Sequence, residues 1–309
     1  MSMGWLDVIK SVIYGIIEGV TEWLPVSSTG HLILLERLLP FQSGETAASN
    51  AHFFSFFLIV IQLGAILAVV VTFWRQLWPF PRERFAVPAE SADCLIPLRL
   101  AKTPFVIDKR ILRLWVMILI ACVPAAVVGV LFDDKIEAVF YNPWTVAAML
   151  VIVGLAFLVV ERWIAREKRT PGIIREEQID WRIALVIGLF QLVSAVFPGT
   201  SRSGATILGG IVIGMSRPLA AAFTFYLAVP VMFGASLLKL VKLGADFNMI
   251  QWLSVLVGMG VAYLVSILII RFLLSYIRRR SFRVFAYYRL ALGAVVMAAA
   301  LAGFFKTPV

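Results

Sequence analysis

From His52 to Trp74 the chain carries no Asp, Glu, Lys or Arg. A helix needs about 20 predominantly apolar residues to cross a bilayer core, and a run of this kind meets that length. Five further stretches are predominantly apolar over that length, so the expected spans are roughly 52–75, 112–132, 144–164, 218–240, 252–276 and 284–305. In lipid the backbone polar groups must be satisfied within their own segment, which makes each span a helix. Composition agrees: 61% of the 309 residues are hydrophobic and 15% charged. Soluble domains hold about 45–50% and about 25%. The expectation is an all-α polytopic membrane protein, a single integral-membrane domain over residues 1–309.

The formal net charge is +10. Its basic residues cluster between Arg75 and Arg113, between Arg162 and Arg182, and at Arg278, Arg279, Arg280 and Arg283. Cytoplasmic loops of membrane proteins concentrate Lys and Arg, so the excess reads as topology, and no nucleic acid is expected as a partner. Cys94 falls in a basic loop and Cys122 in an apolar span, a placement that argues against a disulfide. The N-terminal stretch lacks a basic leader and carries Glu18 and Glu22, unlike a cleaved signal peptide. No Walker, GxGxxG, HExxH or paired-cysteine pattern is present, so nucleotide, NAD and structural zinc are unsupported. Trp5, Trp23, Trp74, Trp78, Trp115, Trp144, Trp181 and Trp252 fall near segment ends, where an aromatic belt belongs.

Two more apolar segments, about 5–39 and 181–215, are broken in the middle by "PVSSTG" and "PGTSRSG". Pro removes a donor and Gly favours non-helical dihedrals, so each segment should be two short helices around a polar turn. The segments also repeat: Gly15, Pro25 and Ser28 align with Gly188, Pro198 and Ser201, and Gly64-Ala65 with Gly234-Ala235. If the broken segments dip in and return, each half crosses three times and the second half is inverted. Charge favours this. The basic loops, including the long one at about 77–110, are then all cytoplasmic, the acidic loop Asp133–Glu137 is outside, and both termini are extracytoplasmic. Broken helices that cross would instead put the 278–283 cluster outside. The expected architecture is six spanning helices plus two re-entrant helical hairpins in an inverted repeat, with halves about 5–165 and 181–305.

The two hairpin tips would meet near the midplane, where irregular backbone survives only inside protein or beside a water-filled cavity. Glu18 and Glu22 stand four apart on one helix face, and Arg202 occupies the second tip. Each ionisable group at that depth costs about 2.5–3.5 kcal/mol on insertion scales. A structural Glu–Arg pair would offset part of it. Two carboxylates against one arginine leave surplus negative charge, which favours a metal or a shared proton. Helix N-termini bind anions, and two of them with a bidentate arginine suit a phosphate or pyrophosphate. Ser27, Thr29, Thr200 and Ser203 serve equally as N-caps or as ligand contacts. Ser28 and Ser201 stand out because they align between the halves. His31, three residues after Ser28, can face the same cavity as acid or base. His52 reads as an ordinary interfacial residue. Gln62 and Gln191 are polar with no set direction; Gln191 aligns with Glu18, so the second half lacks that carboxylate. Inverted repeats with broken helices are also transporter architecture, so a transporter or flippase for a phosphorylated lipid or anion is the alternative.

At "EGVTEWLPVSSTGH" (Glu18 to His31) and "PGTSRSGAT" (Pro198 to Thr206) the chain resembles the undecaprenyl-pyrophosphate phosphatase family, known also for bacitracin resistance. "QLGAILAVV" from Gln62 and "GMSR" from Gly214 extend the similarity over nearly the whole chain. The resemblance implies a hydrolase of the bacterial cytoplasmic (inner) membrane that converts undecaprenyl pyrophosphate to undecaprenyl phosphate for peptidoglycan synthesis. It implies two re-entrant hairpins, a divalent cation, Mg²⁺ or Ca²⁺, held by Glu18 and Glu22, and functional roles at Glu18, Glu22, Ser28, His31, Ser201, Arg202 and Thr206. The catalytic set is then Ser28, His31, Arg202 and Glu22, and the substrate-binding set Ser27, Thr29, Ser201, Ser203 and Thr206. Either Ser28 is the nucleophile with His31 as acid/base, or a metal-activated water attacks. The partners are a polyprenyl pyrophosphate lipid and the membrane, with a homodimer as candidate assembly and a site open to the extracytoplasmic side. Two departures stand out: the basic loop 77–110 is long, and "FTFYLAVP" from Phe223 replaces a usual Ser-Phe-Leu run.

Overall fold

The computed structural model describes residues 3–44, 46–80, 95–100, 103–244 and 246–305. The first half contains α1 (Met3–Thr21), α2 (Ser28–Leu38), α3 (Ala47–Thr72), the single turn α4 (Trp74–Leu77), α5 (Lys109–Phe140) and α6 (Pro143–Glu167). The second contains α7 (Trp181–Val196), α8 (Arg202–Val212), α9 (Arg217–Leu243), α10 (Met249–Ile277) and α11 (Arg283–Leu301). Short polar residues open most of them: Ser27, Thr46, Asp108, Asn142, Asp180, Ser201, Ser216 and Asn248 each accept from a backbone N–H of the first turn. Such caps satisfy donors that a helix start leaves orphaned.

Among the described residues, six helices are long and apolar enough to cross a membrane: α3, α5, α6, α9, α10 and α11. The expected spans are all found. α2 and α8 have 11 residues each, a reach of about 16 Å, too short to cross. α7 is a 16-residue apolar helix.

The packing exchanges between the halves. α1 lies along α10, and α7 along α5; α3 packs on α10, and α9 on α5; α6 pairs with α11. Small residues allow the first two approaches. A Cβ on Gly15 would come within 2.6 Å of Gly258 O on α10, and one on Gly188 within 2.5 Å of Ala121 O on α5. The other aligned pair does not hold up in the same way: Gly64 is pressed against Met259, whereas Gly234 has nothing near it.

One local expectation is corrected. Asp133, Asp134, Lys135 and Glu137 do not form a loop: α5 runs through them to Phe140. Nothing between Asp133 and Phe140 breaks a helix, and 32 residues span about 48 Å, so the charged end projects beyond an apolar core of about 30 Å. The connection to α6 is only Tyr141-Asn142, with Pro143 starting the next helix. The basic loop carries regular structure of its own. It holds an antiparallel hairpin of β1 (Leu95–Leu100) and β2 (Thr103–Asp108), with Pro97 opposite Val106. Cys94 lies outside the described residues, and Cys122 is free.

A clamp on the buried carboxylate of Glu161 ties the two halves together. Arg217 donates to Glu161 from Nε at 3.0 Å and from Nη2 at 2.5 Å, and Phe282 N donates to Glu161 Oε1 at 3.0 Å. One carboxylate thereby ties α6, the start of α9 and the turn before α11.

Candidate active site

The helical spacing of α1 carries past its formal end, because Glu22 N donates to Glu18 O at 3.0 Å. Glu18 and Glu22 therefore stay on one face, and both are buried. The chain then turns through Leu24 and Pro25 to Ser27, whose φ of 76° lies in a region non-glycine residues avoid. The second turn repeats this at Ser201, φ 68°. Each serine caps the glycine three residues on: Gly30 N donates to Ser27 Oγ at 3.3 Å, and Gly204 N to Ser201 Oγ at 3.1 Å.

This geometry shifts the alignment by one. Ser27, not Ser28, is the counterpart of Ser201, because the second turn holds an extra residue at Gly199. Gly199 has φ 91°, and a Cβ there would sit 2.6 Å from Val146 O. The counterpart of Ser28 is Arg202. Each is the first residue of its 11-residue helix.

The two turns meet. Arg202 Nη2 donates to Glu22 Oε1 at 3.2 Å, and Ser28 Oγ donates to Glu22 Oε2 at 2.9 Å. Ser203 Oγ reaches across to Glu22 O at 3.0 Å. Arg202 Nη1 donates to Thr224 O at 3.1 Å, while Thr224 Oγ1 donates to Thr206 Oγ1 and Thr206 Oγ1 to Arg202 O, both at 2.8 Å. Ser203 and Thr206 are buried with their hydroxyls committed to protein atoms. Ser28, Thr29, His31 and Arg202 are partly open.

His31 is not paired with Ser28. Its Nδ1 lies 2.8 Å from Ser27 O and its Nε2 2.6 Å from the Tyr288 hydroxyl. Position three along a helix puts the two side chains on one face, but the nearer partner for Ser28 is the carboxylate one turn back. Trp23 also departs from expectation. It is no belt residue: it is fully buried, edge-on to Phe225 with ring centroids 5.4 Å apart, and 5.9 Å from the Arg202 guanidinium. His52 is as expected, with Nε2 2.8 Å from Leu243 O. Gln191 is buried, and among the described residues nothing hydrogen-bonds its side chain.

Sequence reasoning missed Arg289. Fully buried in α11, it donates from Nη2 to Gly199 O at 2.9 Å, Thr200 O at 3.0 Å and Met149 O at 3.3 Å, and from Nη1 to Pro25 O at 3.3 Å. One guanidinium thus holds both turns. The signal was available: Arg289 is the one charged residue between Val284 and Phe305, and a lone arginine inside a span is a functional or positioning group by default.

The donor set sets limits on a cation. Among the described residues, no cluster of three His, Cys, Asp or Glu side chains converges. Glu18 is 2% exposed, and none of the described residues donates to its carboxylate. A buried, unpartnered carboxylate one turn from Glu22 fits a hard dication that keeps most of its shell as water and phosphate oxygen. It does not fit a cage built of protein ligands.

Residues 11–295 match the family described as bacitracin resistance protein BacA. The chain belongs to the BacA family. Relatives named undecaprenyl-diphosphatase include one from Acetivibrio thermocellus, 46% identical over 292 residues, covering 94% of this chain and 97% of the relative. One from Desulfitobacterium hafniense is 43% identical over 295 residues, 96% of each chain, and one from Enterococcus faecalis is 42% identical over 297 residues, 96% and 98%. The BacA match takes in both turns together with Tyr288 and Arg289 of α11.

Proposed function

We infer that this protein removes the terminal phosphate of undecaprenyl pyrophosphate, giving undecaprenyl phosphate and inorganic phosphate and recycling the lipid carrier of cell-wall synthesis. The observation that carries the reading at the level of the site is the meeting of Arg202, Glu22 and Ser28 at 3.2 and 2.9 Å. A hydroxyl donating to a carboxylate is a nucleophile with its base, and the guanidinium beside them is an anchor for a phosphoryl group.

In this reading Ser28 Oγ attacks the terminal phosphorus and its proton passes to Glu22 Oε2. The anhydride P–O bond breaks, and undecaprenyl phosphate departs as an anion with the bridging oxygen. Water then attacks the phosphoserine, its proton passing to His31 Nε2, and Ser28 recovers its own from Glu22; His31 afterwards gives its proton to the released phosphate. Arg202 and Thr29 hold the phosphoryl oxygens. Ser27, Ser201, Ser203 and Thr206 hold the turns whose free N–H groups face the anion. Glu18 and Glu22 would hold Mg²⁺ or Ca²⁺, which would supply neutralisation of phosphate charge.

The broken segments act as two re-entrant hairpins of an inverted repeat, with halves about 5–165 and 181–305. The exchanged helix packing and the matched serine caps support this. Of α2 only Gly30 is buried, whereas α8 is buried from Ser203 to Ile211. That contrast supports entry of the pyrophosphate on the α2 side, and the basic loops favour that side as the extracytoplasmic face of a bacterial inner membrane. The test is phosphate release from undecaprenyl pyrophosphate by detergent-solubilised protein, where no gradient exists. A transporter would move the lipid across vesicles and release no phosphate.

A further inference from the structure

Tyr288 precedes Arg289 on α11 but faces a different task. Its ring stacks on His31 with centroids 5.6 Å apart and planes 8° apart, and its hydroxyl lies 2.6 Å from Nε2. Ser27 O, the partner of Nδ1, is a carbonyl and can only accept. Nδ1 therefore carries a proton, Nε2 of the neutral ring is the acceptor, and the tyrosine donates to it. Ser28 meanwhile gives its proton to Glu22 rather than to the imidazole. Tyr288 is 47% exposed, in contrast to its buried neighbour Arg289.

We propose that Tyr288 is the positioning residue of His31: it selects Nε2 as the nitrogen that exchanges protons during the reaction and links that nitrogen to the open face of the site. The stacked ring keeps the imidazole from turning. A tyrosine hydroxyl both donates and accepts. When Nε2 gains a proton, the hydroxyl rotates to accept that N–H and turns its own O–H outward. No covalent bond of the tyrosine breaks, and the proton held at Nε2 is the one the reaction later returns. The inference rests on the reading of His31 as the acid/base of the hydrolysis.

Four variants of the full chain in detergent test it: Tyr288→Phe, His31→Ala, the double variant, and Tyr287→Phe as a control on the exposed neighbour. Phosphate release from undecaprenyl pyrophosphate gives kcat and KM for each, and thermal unfolding reports on folding. Tyr288→Phe keeps the ring and loses only the hydroxyl. It is expected to lower kcat about tenfold with KM unchanged within about twofold, as for a group that acts only in the transition state. In the His31→Ala background the same change is expected to have no further effect, a coupling that a merely structural role would not produce. Tyr287→Phe should match the unaltered protein. An unchanged kcat in Tyr288→Phe, or an equal loss with and without His31, overturns the proposal. Full activity in His31→Ala sinks the acid/base reading itself and this inference with it. Loss in His31→Ala but not in Tyr288→Phe sinks the inference alone.

Discussion

The two turns share a skeleton and divide the chemistry. Both place a serine at positive φ, cap a glycine three residues later and start an 11-residue helix. The first brings Glu18, Glu22, Ser28 and His31; the second has Gln191 and Ala195 at the aligned positions and brings Arg202. Two identical acidic turns meeting at one depth would repel. One that carries carboxylates and one that carries a guanidinium pair across 3.2 Å instead. Burial divides along the same line, with the acidic turn opening into a partly exposed α2 and the basic one into a buried α8. Two turns of like backbone thus build one site by carrying unlike side chains.

The sharpest break of that comparison is Ser28→Ala, expected to lower kcat roughly 10⁴-fold as for loss of a nucleophile. Its counterpart in an unaltered enzyme is a phosphoserine trapped at Ser28 by rapid acid quench. Substantial turnover in the variant would hand the attack to water. Arg202→Ala comes next, with a loss of roughly 10³-fold that reflects one charged donor to the phosphoryl group. If the second turn were only structural, kcat would hold and thermal stability alone would fall.

Gln191→Glu makes the turns more alike and should gain nothing. A carboxylate buried at that depth is expected to destabilise by about 3 kcal/mol, visible as a lower midpoint in thermal unfolding. Increased phosphate release would show that the second turn is a dormant catalytic centre. Glu18→Gln should raise the Mg²⁺ or Ca²⁺ concentration for half-maximal activity roughly 100-fold. Activity that survives thorough chelation in the unaltered protein would remove the dication from the reading. Ser203→Ala, which leaves Glu22 O and Leu24 O without a donor from the second turn, should cost about 1–2 kcal/mol of stability.

How much of this was legible follows from the range of each interaction. Polar groups at Glu18, Glu22, Ser28, His31 and Arg202 stand out against apolar neighbours in the bare chain. Their partners do not. Spacing along a helix suggested His31 for Ser28, yet Glu22 is its partner and Tyr288, 257 residues away, holds His31. Arg289 was visible as a lone charge but not as the clamp on Pro25, Gly199 and Thr200.

The sequence by itself determined the six spans, the two broken segments and the polar residues gathered at their turns. Lipid admits only self-satisfied helices, and each exception must be written locally in Pro, Gly and charge. The tertiary structure alone decided the one-residue shift that sets Arg202 opposite Ser28, and the assignment of each hydroxyl and imidazole nitrogen to its partner. Hydrogen bonds are decided within about 3 Å, and only packing of distant helices brings atoms that close.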